Sequence, residues 1–295
     1  MPGEASRHGD VESPDPKFIL PVVTDRNPGI VWSVAADPSR RLGRAVEYHP
    51  AIGSTNDRAR AALAEPNGEG LAVVADLQTA GRGRQGRGWL SPSGVNLMCS
   101  VGLRPHIPAA QAGLLGLAAA VAVREACRPW ATLEIRWPND LVAADGSKVA
   151  GLLIETAVDG EQISLAVLGI GINVNWRRAD MPAGIAETAT SLRDLTGASV
   201  DRVSLLTPLL AALDDEVRRL ESGRSPVERY RAASWLDGRQ VQIDLGDRQL
   251  GGFVAGIADD GSLLVDGPAG RVALDYGEVI RVEPMRTPMA AEAVL

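Results

Sequence analysis

Apolar residues recur along this chain with two different periods, and the places where one gives way to the other outline its architecture. Residues 1–44 are rich in Pro, Asp and Arg and hold no sustained period, which predicts an irregular arm, too short and too proline-broken to be a DNA-reading domain. From Ala45 short apolar runs begin. AVEYH predicts a strand, and Ser54 stands where it would cap a helix over NDRARAALA that ends before Pro66. LAVVAD (71–76) and VNLMCSVGL (95–103) predict buried strands, and the stretch from Gln111 to Cys127, rich in Ala and Leu, predicts a helix stopping at Pro129. Four strands follow: LEIRW, DLVAA, KVAGLLIET and QISLAVLGIGINV, with AADGS as a hairpin turn. Beyond Val174 the period changes to 3.6. Val203, Leu206, Leu209, Leu210, Leu213, Val217 and Leu220 share one face of a helix from Asp201 to Leu220, and PVERYRAAS predicts a second, short one. From Gly238 to Val282 alternating segments separated by GD, DDG and DGPAG turns predict a small all-β barrel. The expected divisions are an arm (1–44), a large domain (45–236), a small β domain (237–285) and a loose tail (286–295).

Composition narrows the function classes. The 295 residues are 45% hydrophobic and 23% charged, ordinary values for a folded globular chain. A net charge of −7 argues against bulk nucleic-acid binding, which needs a basic footprint. No apolar run approaches the roughly 20 residues of a membrane span, and the first residues lack a positive-then-apolar leader pattern, so the expected location is cytoplasmic with no membrane partner. Cys99 and Cys127 lie far apart inside apolar segments and read as two buried free thiols.

Against that acidic background, GRGRQGRGW (81–89) concentrates three arginines among four glycines directly after a buried strand. Glycines let a backbone approach a phosphate with bare N–H donors, and guanidinium groups add forked, charge-assisted bonds. The loop lacks the Gly-Lys-Ser/Thr of a Walker loop and the glycine spacing of a dinucleotide fingerprint. A solvated surface turn and a non-specific RNA-binding segment are its blander readings. Ser54-Thr55-Asn56 is either a helix cap or a small hydroxyl–amide set suited to a polar, uncharged ligand group such as a urea. Arg136-Trp137-Pro138-Asn139-Asp140 is turn chemistry, or a carboxylate placed to help hold Mg²⁺. Lys148, opening an apolar strand, is a snorkelling surface residue or an ammonium that brings a carboxylate and a phosphate together. Gly169 and Gly171 weaken a strand unless something approaches closely, and Asn173 ends it with both a donor and an acceptor for an adenine edge.

In this order, Ser54-Thr55-Asn56, Gln78 to Trp89, Trp137 to Asp140, Lys148 to Gly151 and Gly169 to Asn173 resemble the motifs of the biotin protein ligases. The likeness runs over roughly residues 45 to 285, with the glycine–arginine segment its most specific part. It implies an α+β fold: a mixed-sheet catalytic domain of the biotin/lipoate ligase type with a small C-terminal SH3-like β-barrel. It implies ATP and Mg²⁺ as co-substrates, biotin as substrate, and no tightly bound prosthetic group. Biotin would be activated as biotinyl-5′-AMP and passed to a lysine of a biotin carboxyl carrier domain of an acyl-CoA or pyruvate carboxylase. Carried over residue by residue, Ser54, Thr55, Asn56, Gln78, Arg82, Gly83, Arg84 and Lys148 would bind biotin. Arg84, Arg87, Trp89, Asn139, Lys148 and Asn173 would address the nucleotide. Lys148, Arg84, Arg82 and Asp140 would be catalytic, with Asp140 also the candidate metal ligand. Arg136 stands where the family often has lysine. The arm in place of a winged helix-turn-helix predicts no DNA-binding or repressor role, and a monomer or weak homodimer is expected. A lipoate or octanoyl transferase, a non-catalytic biotin or nucleotide sensor and an arginine–glycine RNA binder remain as alternatives.

Overall fold

The computed structural model describes residues 32–283. Strand β1 (Ala45–His49) leads through helix α1 (Thr55–Ala62) to β2 (Leu71–Ala75), which lies parallel to it; a helix is the natural crossover between parallel neighbours. The other pairings between strands of the same sheet are antiparallel. β3 (Leu97–Leu103), helix α2 (Ala112–Cys127), β4 (Glu134–Arg136), β5 (Asp140–Val142), β6 (Lys148–Asp159) and β7 (Gln162–Ile172) complete a seven-stranded sheet in the order β1-β2-β3-β7-β6-β5-β4. The predicted AADGS hairpin joins β5 to β6. The edge of β4 is closed by backbone bonds from Ile135 to Ala233 and from Trp235 to Ile135.

Alternation along the central strands gives the sheet two unlike faces. Cys99, Val101, Leu168, Ile170 and Ile172 join the main apolar cluster, together with α2 and the long helix α5 (Arg202–Glu221). α2 is buried nearly all round, which suits its almost unbroken run of Ala, Leu and Val. Residues 109–127 are long and apolar enough to cross a membrane by length and composition, contrary to the expectation from sequence, yet they form this mostly buried core helix. On the opposite face Val73 and Val167 pack with Ala59 of α1, and Gly102 lets the helix settle: a Cβ there would lie 2.7 Å from the Ala59 carbonyl. Farther along that face come Ser100, Gly169, Gly171 and Gly151, which are mutually paired across β3, β7 and β6.

After β7 the chain forms α3 (Ala183–Ala186), α4 (Leu192–Thr196), α5 and α6 (Val227–Arg231). It then enters a five-stranded antiparallel sheet of β8 (Gln240–Asp244), β9 (Gln249–Ile257), β10 (Leu263–Gly267), β11 (Gly270–Leu274) and β12 (Glu278–Val282), ordered β11-β10-β9-β8-β12. This sheet, the small SH3-like part, is fused to the larger body by one apolar cluster and by Trp137, whose Nε1 donates to the Gly261 carbonyl at 3.3 Å.

Two expectations change. Trp32, Ala35 and Leu42 are buried, so the last residues of the expected arm belong to the core, Trp32 stacking on Tyr48 at 6.1 Å. Residues 1–31 of that arm and the tail 286–295 lie outside the described residues. Ser54 occupies the N-cap position of α1 but makes no side-chain cap bond; instead the first-turn Thr55 N–H donates to Oε1 of Gln78 at 2.8 Å.

Candidate active site

An open cavity lies on the sheet face opposite the main core, between α1, the glycine–arginine loop and the glycines of β6 and β7. Its polar wall is a connected network. Gln78 Oε1 accepts from both the backbone and the hydroxyl of Thr55, at 2.8 and 2.9 Å. Ser100 Oγ lies 2.7 Å from Thr55 Oγ1 and 2.6 Å from Asn56 Oδ1, and Asn56 Nδ2 donates to Glu155 at 2.8 Å. Ser54, Thr55 and Asn56 are all buried, yet each lines the cavity. Gln78 is brought beside them because the segments after β1 and β2 continue to pair: Ile52 N–H donates to Leu77, and Thr79 N–H to Ile52.

The two glycines of β7 are explained by close approach. A Cβ on Gly169 would fall 2.1 Å from Asn56 Oδ1, and one on Gly171 would fall 2.5 Å from the Trp89 ring. Trp89 lies over Gly171 and Gly151, and its buried Nε1 has no hydrogen-bond partner among the described residues.

The loop carrying Trp89 is a tight hairpin. Gly83 N–H donates to Arg87 O at 2.7 Å, Trp89 N–H donates to Gly81 O at 2.9 Å, and a 3₁₀ turn spans Arg84–Gly86. Gln85 has φ +56° and Gly86 φ +72°, left-handed conformations that tighten the tip. Arg82 is held by Asp57 at 2.6 and 2.9 Å, and Arg87 by Glu278 of β12. Among the described residues Arg84 has no carboxylate within ion-pair distance; its guanidinium reaches the Gly277 carbonyl at 3.4 Å. Burial pulls the Arg84 pKa down from its ordinary value, against the raising influence of Asp140 and Glu278.

Lys148 reaches the cavity side through a β-bulge. β5 pairs Leu141 with Ala150 but Val142 with Lys148, so one residue of β6 is skipped and Lys148 shares a face with Gly151 instead of with the core residue Ala150. A Cβ on Gly151 would lie 2.9 Å from the Lys148 ammonium and 3.0 Å from the Trp89 ring, so the glycine lets both side chains lie close to the strand. Lys148 Nζ is 2.6 Å from Asp140 Oδ1 and 5.6 Å from the Trp89 ring centroid. The other oxygen of Asp140 accepts from Arg136 at 2.9 Å. Burial pushes the Asp140 carboxyl up, but the Lys148 ammonium and the Arg136 guanidinium outweigh it and hold it below the usual range.

The structure thus brings together Ser54, Thr55, Asn56, Gln78, Arg82, Gly83, Trp89 and Asn139 around one cavity, with Lys148 and Asp140 against Trp89 and Gly151. Asn139 spends its amide on the Leu152 carbonyl at 2.6 Å. Asn173 sits outside the lining, buried, with bonds of 3.4 Å to Asn96 and to the Lys148 carbonyl. Both Asp140 oxygens face cations, Lys148 at 2.6 Å and Arg136 at 2.9 Å, and among the described residues no three His, Cys, Asp or Glu side chains cluster as a metal cage. Sequence reasoning missed Ser100, Glu155, Asp57 and Glu278. A serine within the apolar LMCSVGL strand was a visible signal; the other three stand among ordinary surface charges. Replacing Ser100 by alanine removes the centre of the polar wall and leaves buried oxygens without their partner, so unfolding in denaturant should show a loss of about 1–3 kcal/mol. An unchanged midpoint would mean those oxygens are satisfied elsewhere.

Residues 48–173 match the model of the biotin/lipoate A/B protein ligase family, and residues 238–282 match the biotin protein ligase C-terminal domain. The chain is 34% identical over 248 residues to the biotin–[acetyl-CoA-carboxylase] ligase of Mycobacterium tuberculosis, covering 81% of this chain and 90% of that one. It is 33% identical over 229 residues to the bifunctional ligase/repressor BirA of Bacillus subtilis, covering 76% and 70% respectively. The biotin protein ligase of Aquifex aeolicus, solved in complex with biotin and ATP, superposes with a TM-score of 0.66 at 30% identity, covering 81% of this chain and 98% of that one. An acyl-group ligase of mixed-sheet architecture is therefore the class that fold and site define. Within it, the chain belongs to the biotin protein ligases.

Proposed function

We propose that the enzyme joins biotin to ATP as biotinyl-5′-AMP, then transfers the biotinyl group to a specific lysine of a biotin carboxyl carrier domain, without a repressor role. The observation that carries this reading is the pairing of two unlike regions on one sheet face. An uncharged hydroxyl–amide wall (Ser54, Thr55, Gln78, Ser100) suits a urea-like ring, and Lys148, against Gly151 and Trp89 of the same cavity, would meet a carboxylate and a phosphate together with Arg84 of the loop whose Gly83 lines that cavity.

In the first step the biotin carboxylate oxygen attacks the α-phosphorus of ATP, an O–P bond forms, and pyrophosphate leaves with the bonding pair. Two anions must approach, so fixed positive charge lowers the barrier most where it is pre-positioned. Lys148, held by Asp140 and laid across Gly151, supplies one such charge, and Arg84, free of a carboxylate partner, supplies the other. In the second step the acceptor lysine amine attacks the anhydride carbonyl, an amide forms, and AMP leaves. Trp89 and the hairpin loop would cover the anhydride and keep water from it. Mg²⁺ would arrive on the triphosphate of ATP, as that ion commonly does, with phosphate oxygens as its main ligands. Asp140 then serves as the anchor of Lys148 and Arg136 and not as a metal ligand. Asn139 and Asn173 would sit toward the nucleotide. An ATP-dependent reaction on carboxylase carriers fits the cytoplasm, and a monomer or weak homodimer suffices for it.

Biotin-dependent exchange of labelled pyrophosphate into ATP tests the first step, with lipoate and octanoate run in parallel. Exchange with biotin alone is expected. Exchange with lipoate or octanoate instead would replace the acyl group in this reading, and tight sequence-specific binding to duplex DNA at moderate salt would overturn the absence of a repressor role.

A further inference from the structure

The three loop arginines make unlike contacts. Arg82 grips Asp57 with both arms of its guanidinium, at 2.6 and 2.9 Å, the forked geometry that fixes orientation as well as charge. Asp57 lies in the first turn of α1, directly after the cavity residues Thr55 and Asn56. Arg82 also comes within 3.9 Å of Glu155, the carboxylate that accepts from Asn56. Arg87 pairs with Glu278, the first residue of β12, on the small sheet. Between them Arg84 is left with a single long contact, to the Gly277 carbonyl. The backbone ladder inside the loop makes it a unit, so it is tied at one arginine to α1 and at another to the small sheet.

We propose that the arginines divide their work: Arg84 alone meets the phosphate, whereas Arg82 and Arg87 fasten the closed loop, making Asp57 and Glu278 positioning residues for the reaction. This rests on the adenylate-forming reading above. An anion arriving at Arg82 would first have to displace a carboxylate held by both arms of the guanidinium, and one arriving at Arg87 would have to share it with Glu278. One arriving at Arg84 displaces only a 3.4 Å contact to a neutral carbonyl. The two fastenings also reach different parts of the molecule, so the position of the loop over the cavity depends on the helix that carries the polar wall and on the small sheet together.

Charge exchange separates fastening from phosphate contact. Arg82→Asp and Asp57→Arg should each slow adenylate formation and speed release of bound biotinyl-5′-AMP. The double variant Arg82→Asp/Asp57→Arg, which rebuilds the pair in reverse, should return to within about threefold of the unaltered enzyme. Arg87→Glu with Glu278→Arg should behave in the same way. If a reversed pair stays as slow as the single arginine variant, that arginine acts on the phosphate itself and the division is wrong. A second arm needs no activity. In the ligand-free protein, Asp57→Asn and Glu278→Gln, which leave every arginine in place, should raise tryptic cleavage after Arg84 by roughly two- to fivefold each, the size expected for one exposed ion pair. Unaltered cleavage in both would overturn the fastening role. A wild-type enzyme that forms no adenylate but shows the faster cleavage would sink the reading of the reaction and leave the fastenings standing.

Discussion

Replacing Lys148 by alanine should lower the rate of adenylate formation by about 10²–10³-fold, the usual loss when one pre-positioned group is removed from a developing charge. The reason lies in what the site contains. Lys148, paired with Asp140 and laid against Gly151 and the Trp89 ring, is a cation built into the sheet at the cavity. Its position depends on three devices: the bulge that turns it to the cavity face, the glycine at 151 that it crosses, and Asp140 directly opposite that glycine. Fold stability should change little, because Asp140 keeps its bond to Arg136 when the ammonium is gone. Pyrophosphate exchange and thermal unfolding together check this. Near-normal exchange would remove Lys148 from the chemistry, and a collapsed melting temperature would make it a structural residue first.

Gly169→Ala should be the most damaging single methyl group in the cavity. The added Cβ would stand 2.1 Å from Asn56 Oδ1, well inside contact distance, and the carboxamide it strikes is bonded to Ser100 on one side and to Glu155 on the other. Asn56 must rotate away or the strand must shift. Overpacking of this kind costs roughly 1–3 kcal/mol, and here the cost falls on the polar wall, so biotin affinity should drop by about 5- to 150-fold at 1.4 kcal/mol per tenfold. Isothermal titration with biotin measures it. Wild-type affinity would show that Asn56 and its partners do not form the ligand wall.

Much of this architecture is legible in the sequence, for identifiable reasons. Strands and helices announced themselves because the core is continuous and apolar: LAVVA, LMCSVGL and the Leu-rich face of α5 carry unbroken periods. The glycine–arginine loop stood out because its composition is foreign to the rest of the chain. Long-range relations were not legible. Nothing local tells that β1 and β2 run parallel, that Gln78 replaces Ser54 in serving the first turn of α1, or that Trp32 and Leu42 bury themselves in the core. Arg82 and Arg87 looked like three equal charges together with Arg84. Their inequality comes from Asp57 and Glu278, 25 and 191 residues away in the chain. Asn173 read as an amide open to a ligand at a strand end, yet Asn96, just before β3, donates to it and accepts from the N–H of Val174. The bulge at Lys148 is likewise a matter of pairing register, set by a neighbouring strand and not by the motif itself.

The two cysteines carry a last consequence. Cys99 lies in the central strand β3, one residue before Ser100, and Cys127 closes α2; both are fully buried, and burial pushes each thiol up to about 12. At neutral pH both are then held as thiols, and no alkylating reagent reaches either buried sulfur in the closed fold. Each time the core opens, both become ordinary reactive thiols. The enzyme thus carries two built-in clocks, one in the sheet beneath the cavity and one in the helix behind it, whose labelling rates time the opening of each layer with no foreign probe attached.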